Sequence, residues 1–136
     1  MRAMRAPIEP RGVLRAAEPG SATGPAYITG PWARLLRYRL RRAGLCLPDA
    51  VFGLAWSGAM TATRLRGLIA HLPEGLSEIY LHPATAGGFA GSARNYQYAA
   101  ELAALTDPSV ARTASDSGAE LGGFADFQGP RPRMDG

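Results

Sequence analysis

Between Leu76 and His82 the sequence alternates, and Pro83 stops it. Ile79 and Leu81 fall on one face of such a segment and Glu78, Tyr80 and His82 on the other, because strand side chains switch face at every residue. Proline cannot donate to a sheet ladder, so the strand is predicted to close directly after His82. A second run, Val51 to Trp56, is apolar and closed by Ser57 and Gly58, which reads as a buried strand. Between the two lies a helical pattern. Thr61 or Thr63 can cap it, the stripe of Leu65, Leu68, Ile69 and Leu72 keeps a 3.6-residue period, and Pro73 and Gly75 break it. Strand, helix and strand in that order predict a βαβ unit and a mostly parallel sheet, which sets the class as α/β.

The flanking segments extend this pattern. Pro31 suits the first turn of a helix, where its missing N–H has no intrahelical partner. From Trp32, the residues Leu36, Leu40 and Ala43 share one face while Arg34, Arg37 and Arg41 project opposite, and Gly44 and Pro48 end the helix. Such an arginine face is either a solvated surface or a contact for phosphate or anionic lipid. Residues 6–31, with Pro7, Pro10, Pro19, Pro25 and Pro31, are predicted to be an extended connection with at most a short helical turn near Val13 to Ala17. Residues 84–95, with Gly87, Gly88 and Gly91, read as a mobile loop that matches neither a Walker loop nor a Rossmann fingerprint. Tyr98, Leu102 and Leu105 mark another helix. Asp107 and Pro108 supply an N-cap and an N1 proline for a last helix through about Ser115. Gly118 ends it, Ala119 to Phe124 are predicted as a final short strand, and residues 128–136 as a flexible tail behind a domain of residues 1–127.

Chemistry is sparser. The 136 residues suffice for one domain with a core but are few for a large barrel enzyme. A net charge of +4, carried by arginine alone without lysine, is too modest to predict a nucleic-acid partner. Cys46 is the single cysteine, so no internal disulfide or thiolate cluster forms, and its place between Leu45 and Leu47 predicts a small buried hydrophobe. No apolar run approaches the roughly 18 residues that span a bilayer, and Met1 to Arg5 lead into no apolar core. The expected location is cytoplasmic, peripheral membrane contact included, and the alternative is a small non-catalytic binding protein that uses the arginine face on a membrane or an acidic partner.

Only His71 and His82 could supply imidazoles, and His71 falls on a helix flank. His82 closes a strand, where chemistry gathers in parallel α/β folds, and an imidazole there can act as acid or base near neutral pH. No paired carboxylates, H-E-x-x-H or C-x-x-C accompany it, Asp126 and Asp135 form no constellation, and Ser57 follows a strand without a nucleophile elbow. The residues alone support one acid/base candidate and no complete site.

Gly75-Leu76-Ser77-Glu78-Ile79-Tyr80-Leu81-His82-Pro83-Ala84-Thr85 resembles the late histidine-proline motif of the YdjC-type (ChbG-like) carbohydrate deacetylases. Gly30 to Leu36, Val51 to Met60, Glu101 to Leu105, Asp107-Pro108 and Leu121 to Asp126 resemble, in order, the hopanoid-biosynthesis-associated HpnK branch of that family. The resemblance implies a (β/α)-barrel-like fold and metal-dependent removal of an N-acetyl group from an amino sugar or glycolipid. His82 then carries over as the late-motif histidine, Arg5 as an electrostatic partner of the base, and Glu78 as a supporting residue. Trp56, Ser57 and Tyr80 beside the strand ends become candidate substrate contacts. The family's aspartate pair and early histidines, which would hold Mg or Zn, have no counterpart here, so the chain is expected to be the carboxyl-terminal part of such an enzyme. It is then expected to hold no metal of its own, to be inactive alone, and to self-associate through exposed barrel edges.

Overall fold

A computed structural model of the chain describes residues 9–20 and 30–127. Arg5 and the tail 128–136 lie outside the described residues.

The elements run α1 (Arg11–Ala17), α2 (Gly30–Arg42), β1 (Ala50–Phe52), α3 (Ala62–Ala70), β2 (Ser77–Ile79), α4 (Tyr98–Leu105) and α5 (Pro108–Asp116). The strands β1 and β2 pair in parallel, with Ala50 opposite Ser77, Val51 opposite Glu78 and Phe52 opposite Ile79. With α3 as the crossover they form the expected βαβ unit, and the chain is a mixed α/β protein. Both strands are shorter than their sequence patterns. β1 stops at Phe52 because Gly53 takes a φ of +117°, outside strand geometry. Beyond β2, one further bond from Tyr80 N–H to Phe52 O, 3.1 Å, carries the extended backbone toward His82.

Every residue of β1 is buried, as its unbroken apolar run requires. Phe52 meets Leu14, Ala50, Trp56, Met60, Leu65, Leu68 and Val110 in one core cluster. Burying a side chain such as Phe52 or Leu68 contributes about 1.5–3 kcal/mol. Helix α3 is the hub: α1, α4 and α5 all pack on it. The crossing with α1 is close because Gly67 has no side chain; a Cβ there would lie 2.5 Å from the carbonyl oxygen of Ala17. Capping follows the sequence. Thr61 accepts the Arg64 N–H at 3.2 Å, and Asp107 accepts the Ser109 N–H at 2.7 Å with Pro108 at N1.

Four expectations are corrected. The segment near Val13 is a seven-residue helix, α1, rather than a brief turn in an extended connection, because Leu14 is buried in the core and Val13 and Ala17 pack against it. Residues 119–124 form no strand. Gly122 and Gly123 favour a turn instead, Leu121 is 75 % exposed, and Asp126 closes the turn by accepting the Gly123 N–H at 2.7 Å. Cys46 is half-buried rather than buried. Arg37 does not project into solvent with Arg34 and Arg41. Its side chain is 11 % exposed and turns inward, donating to the backbone oxygen of Asp49 at 2.9 Å and lying 3.5 Å from that residue's carboxylate.

Asp49 is thereby a junction. Its Oδ1 takes Arg41 at 2.6 Å, its Oδ2 accepts the Leu76 N–H at 3.1 Å, and its own N–H donates to the Leu76 carbonyl at 2.6 Å. The entrances of β1 and β2 are tied together and to α2 by one carboxylate. No helix among the described residues is long and apolar enough to cross a membrane.

Candidate functional site

The exits of β1 and β2 lie side by side because the strands are parallel and in register. Residues 53–58 leave one strand and residues 80–83 the other, so Ser57, Tyr80 and His82 are brought to the same end of the sheet. Tyr80 and His82 share a face, as alternation requires: their rings meet edge to face at 5.5 Å. The imidazole also meets Tyr96 edge to face at 5.0 Å. Tyr96 reaches back across the site, its hydroxyl 2.7 Å from Ser57 Oγ. Tyr98 and Phe89 continue the row, with centroid distances of 5.7 Å from Tyr96 to Tyr98 and 5.0 Å from Tyr98 to Phe89. Edge-to-face and tilted contacts at these separations are the favoured geometry for aromatic rings.

The Tyr96 ring lies flat against the backbone at Gly58. That residue has a φ of +76°, and a Cβ there would stand 2.4 Å from the ring. The Gly58 carbonyl then accepts the Gln97 N–H at 2.7 Å, which locks the loop before α4 onto the exit of β1.

Two carboxylates hold the site from below. Glu101, on α4, is 1 % exposed. Its Oε1 accepts the Met60 N–H at 3.1 Å and its Oε2 the His82 N–H at 2.5 Å, and Oε2 stands 3.9 Å from His82 Nδ1. Burying a charge is tolerated where donors converge on it, and here two backbone N–H groups do. Glu9 does the same at the exit of β1, accepting from Gly53 N–H and Ala55 N–H, each at 3.0 Å. Burial pushes the Glu9 carboxyl above its usual range, and the backbone donors at Gly53, Ala55 and Leu54 oppose that shift without cancelling it.

His82 brings an imidazole, a group that can both give and take a proton, to this end of the sheet. Its side chain is 35 % exposed, whereas Nδ1 is buried and makes no hydrogen bond. Nε2 is therefore the only ring nitrogen able to meet a ligand. Of the other residues singled out from sequence, Ser57 and Tyr80 are half-buried beside it. Trp56 is not at the surface of the site. It is 4 % exposed in the core, with the Arg64 guanidinium 5.2 Å above its ring. His71 caps the C-terminal end of α3, exposed, with Nδ1 2.8 Å from the Gly67 carbonyl.

Glu9, Tyr96 and Glu101 were not singled out from sequence as site residues. The only local hint is the spacing of Tyr96 and Tyr98 at the end of a glycine-rich stretch. Among the described residues no three His, Cys, Asp or Glu side chains converge where a metal ion could sit. His82 and Glu101 make only a pair, and both oxygens of Glu101 already face backbone N–H groups. The described donor set does not fit a divalent ion.

No curated protein and no solved structure matches the chain. The model of the YdjC-like protein family matches residues 1–116 of the 136, and the chain belongs to that family.

Proposed function

We propose that this chain serves in the hydrolytic removal of an acetyl group from an amino sugar, and that His82 is the residue through which it takes part. Membership of the YdjC-like family supports a deacetylase of the carbohydrate type. The observation that carries the reading is the placement of His82, with Nε2 left for a ligand at the exit of β2 while Nδ1 is buried beside Glu101.

In amide hydrolysis water adds to the acetyl carbonyl carbon, the C–N bond breaks, and the departing amine needs a proton. A protonated His82 can donate that proton from Nε2, leaving acetate and a free amino sugar. Tyr80 and Tyr96 supply ring faces and edges on which the apolar side of a pyranose can rest, and the Ser57–Tyr96 hydroxyl pair offers a donor and acceptor for a sugar hydroxyl. Glu101 acts through His82 by fixing its backbone, so it is a positioning residue.

The finer reading follows the resemblance of Gly30 to Leu36 and Val51 to Met60 to the HpnK branch. On it the substrate is an amino sugar carried on a hopanoid-type lipid, and this chain is the carboxyl-terminal part of the enzyme. On the same reading the family's metal-holding aspartate pair and early histidines have no counterpart in this chain. Arg5, on this reading, is an electrostatic partner of the base.

The test is a titration of the isotopically labelled chain with the N-acetylglucosamine disaccharide, followed by amide and side-chain resonances. His82, Tyr80 and Tyr96 are expected to shift together, and Tyr96→Ala to abolish the response. Sugar that leaves these three residues unmoved would sink the assignment. A parallel assay for acetate release is expected to show none from the chain alone, with or without added divalent metal. Release abolished by His82→Ala would show the site to be complete and overturn the partial-enzyme reading.

A further inference from the structure

We propose that α2 is a docking face for an anionic lipid bilayer. The helix carries Arg34, Arg37, Arg39, Arg41 and Arg42 and no acidic residue. Arg37 is turned inward to Asp49, and the only ion-pair acceptor for the set among the described residues is that same carboxylate, shared with Arg41. Arg34, Arg39 and Arg42 are exposed and have no acidic partner among the described residues.

At 100° per residue the side chains divide cleanly. Leu36, Arg37 and Leu40 share the inward arc and are all partly buried. Arg41, Arg34, Tyr38, Arg42, Leu35 and Arg39 follow one another around the outward arc, and all six are exposed. Leu35 and Tyr38 stand 43 % and 58 % exposed in the middle of that arc, bounded on both sides by guanidinium groups. No α2 residue from Arg34 to Arg42, the part of the helix whose side chains are described, belongs to the core cluster, so nothing in the described core explains an outward leucine and tyrosine there.

A helix with apolar and aromatic side chains set among arginines matches the interface of a bilayer. The apolar groups enter at the headgroup level while the long arginine stems reach up to the phosphates. Free phosphate would reward the guanidinium groups alone and leave Leu35 without a partner. Ribonucleic acid would take the arginines and Tyr38 but gains little from an exposed leucine. The convex, one-helix arc also suits a plane better than a groove. Charge complementarity together with the exposed Leu35 and Tyr38 therefore selects anionic lipid, and the inference stands independently of the deacetylase reading.

The experiment is co-sedimentation of the full chain with phosphatidylglycerol–phosphatidylcholine vesicles and with pure phosphatidylcholine vesicles. Binding is expected only to the anionic vesicles and to weaken steeply with added salt. Replacing Arg34, Arg39 and Arg42 together by glutamine is expected to weaken partition on the order of 100-fold, each basic residue near the surface being worth roughly fivefold. Leu35→Ser with Tyr38→Ser keeps every charge and is expected to weaken it about tenfold. Circular dichroism shows whether each variant folds; if the glutamine variant does not, the serine variant and the salt series of the natural sequence decide. Equal binding to neutral vesicles, partition indifferent to both sets of substitutions, or complete displacement by millimolar inorganic phosphate or by single-stranded RNA at equal phosphate concentration would each overturn the proposal.

Discussion

Glu101 accepts the backbone N–H of His82 at 2.5 Å and holds its carboxylate 3.9 Å from Nδ1 of the same residue. One buried side chain thus fixes both the backbone and the surroundings of the candidate acid. Through its other oxygen it reaches Met60, so the loop after β1, the exit of β2 and helix α4 converge on a single carboxylate. Replacing Glu101 by alanine leaves two N–H groups without their acceptor. Each such loss costs about 1–3 kcal/mol, so Glu101→Ala is expected to lower unfolding stability by on the order of 3 kcal/mol. Glu101→Gln keeps one acceptor and is expected to cost less. Urea denaturation gives both numbers, and the His82 and Met60 amide proton resonances should move upfield in each variant. Unmoved resonances would show that the carboxylate does not hold these amides in solution.

The Ser57–Tyr96 hydroxyl pair predicts a measurable coupling. Ser57→Ala and Tyr96→Phe each remove one partner of the 2.7 Å contact, and together they remove the whole interaction. A double-mutant cycle is expected to return about 1 kcal/mol of coupling. Gly58→Ala tests the same wall from the other side. It places a methyl group 2.4 Å from the Tyr96 ring on a backbone at φ +76° and is expected to cost about 2 kcal/mol. A neutral Gly58→Ala would mean that Tyr96 does not lie against the exit of β1.

These two relations mark where the sequence was legible and where it was not. The βαβ unit could be read because alternation at 76–82, the apolar run at 51–56 and the leucine stripe of α3 are local signals, each set by the period of its own element. His82 could be placed at a strand exit for the same reason. Glu101 and Tyr96 could not be assigned their roles. The first acts on residues 41 and 19 positions away, the second on a residue 39 away, and no spacing rule joins them. The short helix α1 was hidden in a proline- and glycine-rich stretch, since its stability comes from packing on α3 rather than from propensity. Arg37 misled in the opposite way: the helical period put it on the polar face, and the Asp49 carbonyl and carboxylate drew it in.

Arg37 and Arg41 share Asp49 yet should not contribute equally. The Arg37 side chain is 11 % exposed and donates to a backbone carbonyl, whereas that of Arg41 is 54 % exposed and pairs at the surface. Charge-assisted bonds shielded from water are worth about 1.5–3 kcal/mol and exposed ion pairs about 0–1. Arg37→Ala is therefore expected to destabilise by about 2 kcal/mol and Arg41→Ala by less than about 1 kcal/mol. High salt should erase the smaller effect and spare the larger one. Equal costs in urea melts would contradict the inward placement of Arg37.

Glu9 carries the pH dependence that the site predicts. Burial raises its carboxyl above the ordinary 4.5, against the pull of the N–H groups of Gly53, Ala55 and Leu54. Between 4.5 and the raised value, the folded chain keeps a proton that the unfolded chain has released. The unfolded state then binds fewer protons, so stability falls as pH rises through that window. The contribution is fully present below 4.5 and is lost as pH climbs through the folded value. Glu9→Gln cannot titrate, and its amide nitrogen also faces a backbone N–H from which the carboxylate oxygen accepted. The variant is expected to be less stable at acid pH and to lose part of the fall, so that the gap to the natural sequence narrows as pH rises. Urea midpoints measured from pH 4.5 upward on both proteins test this. A gap that widens with pH would mean that the backbone donors outweigh burial and that Glu9 folds as a carboxylate held below its ordinary range.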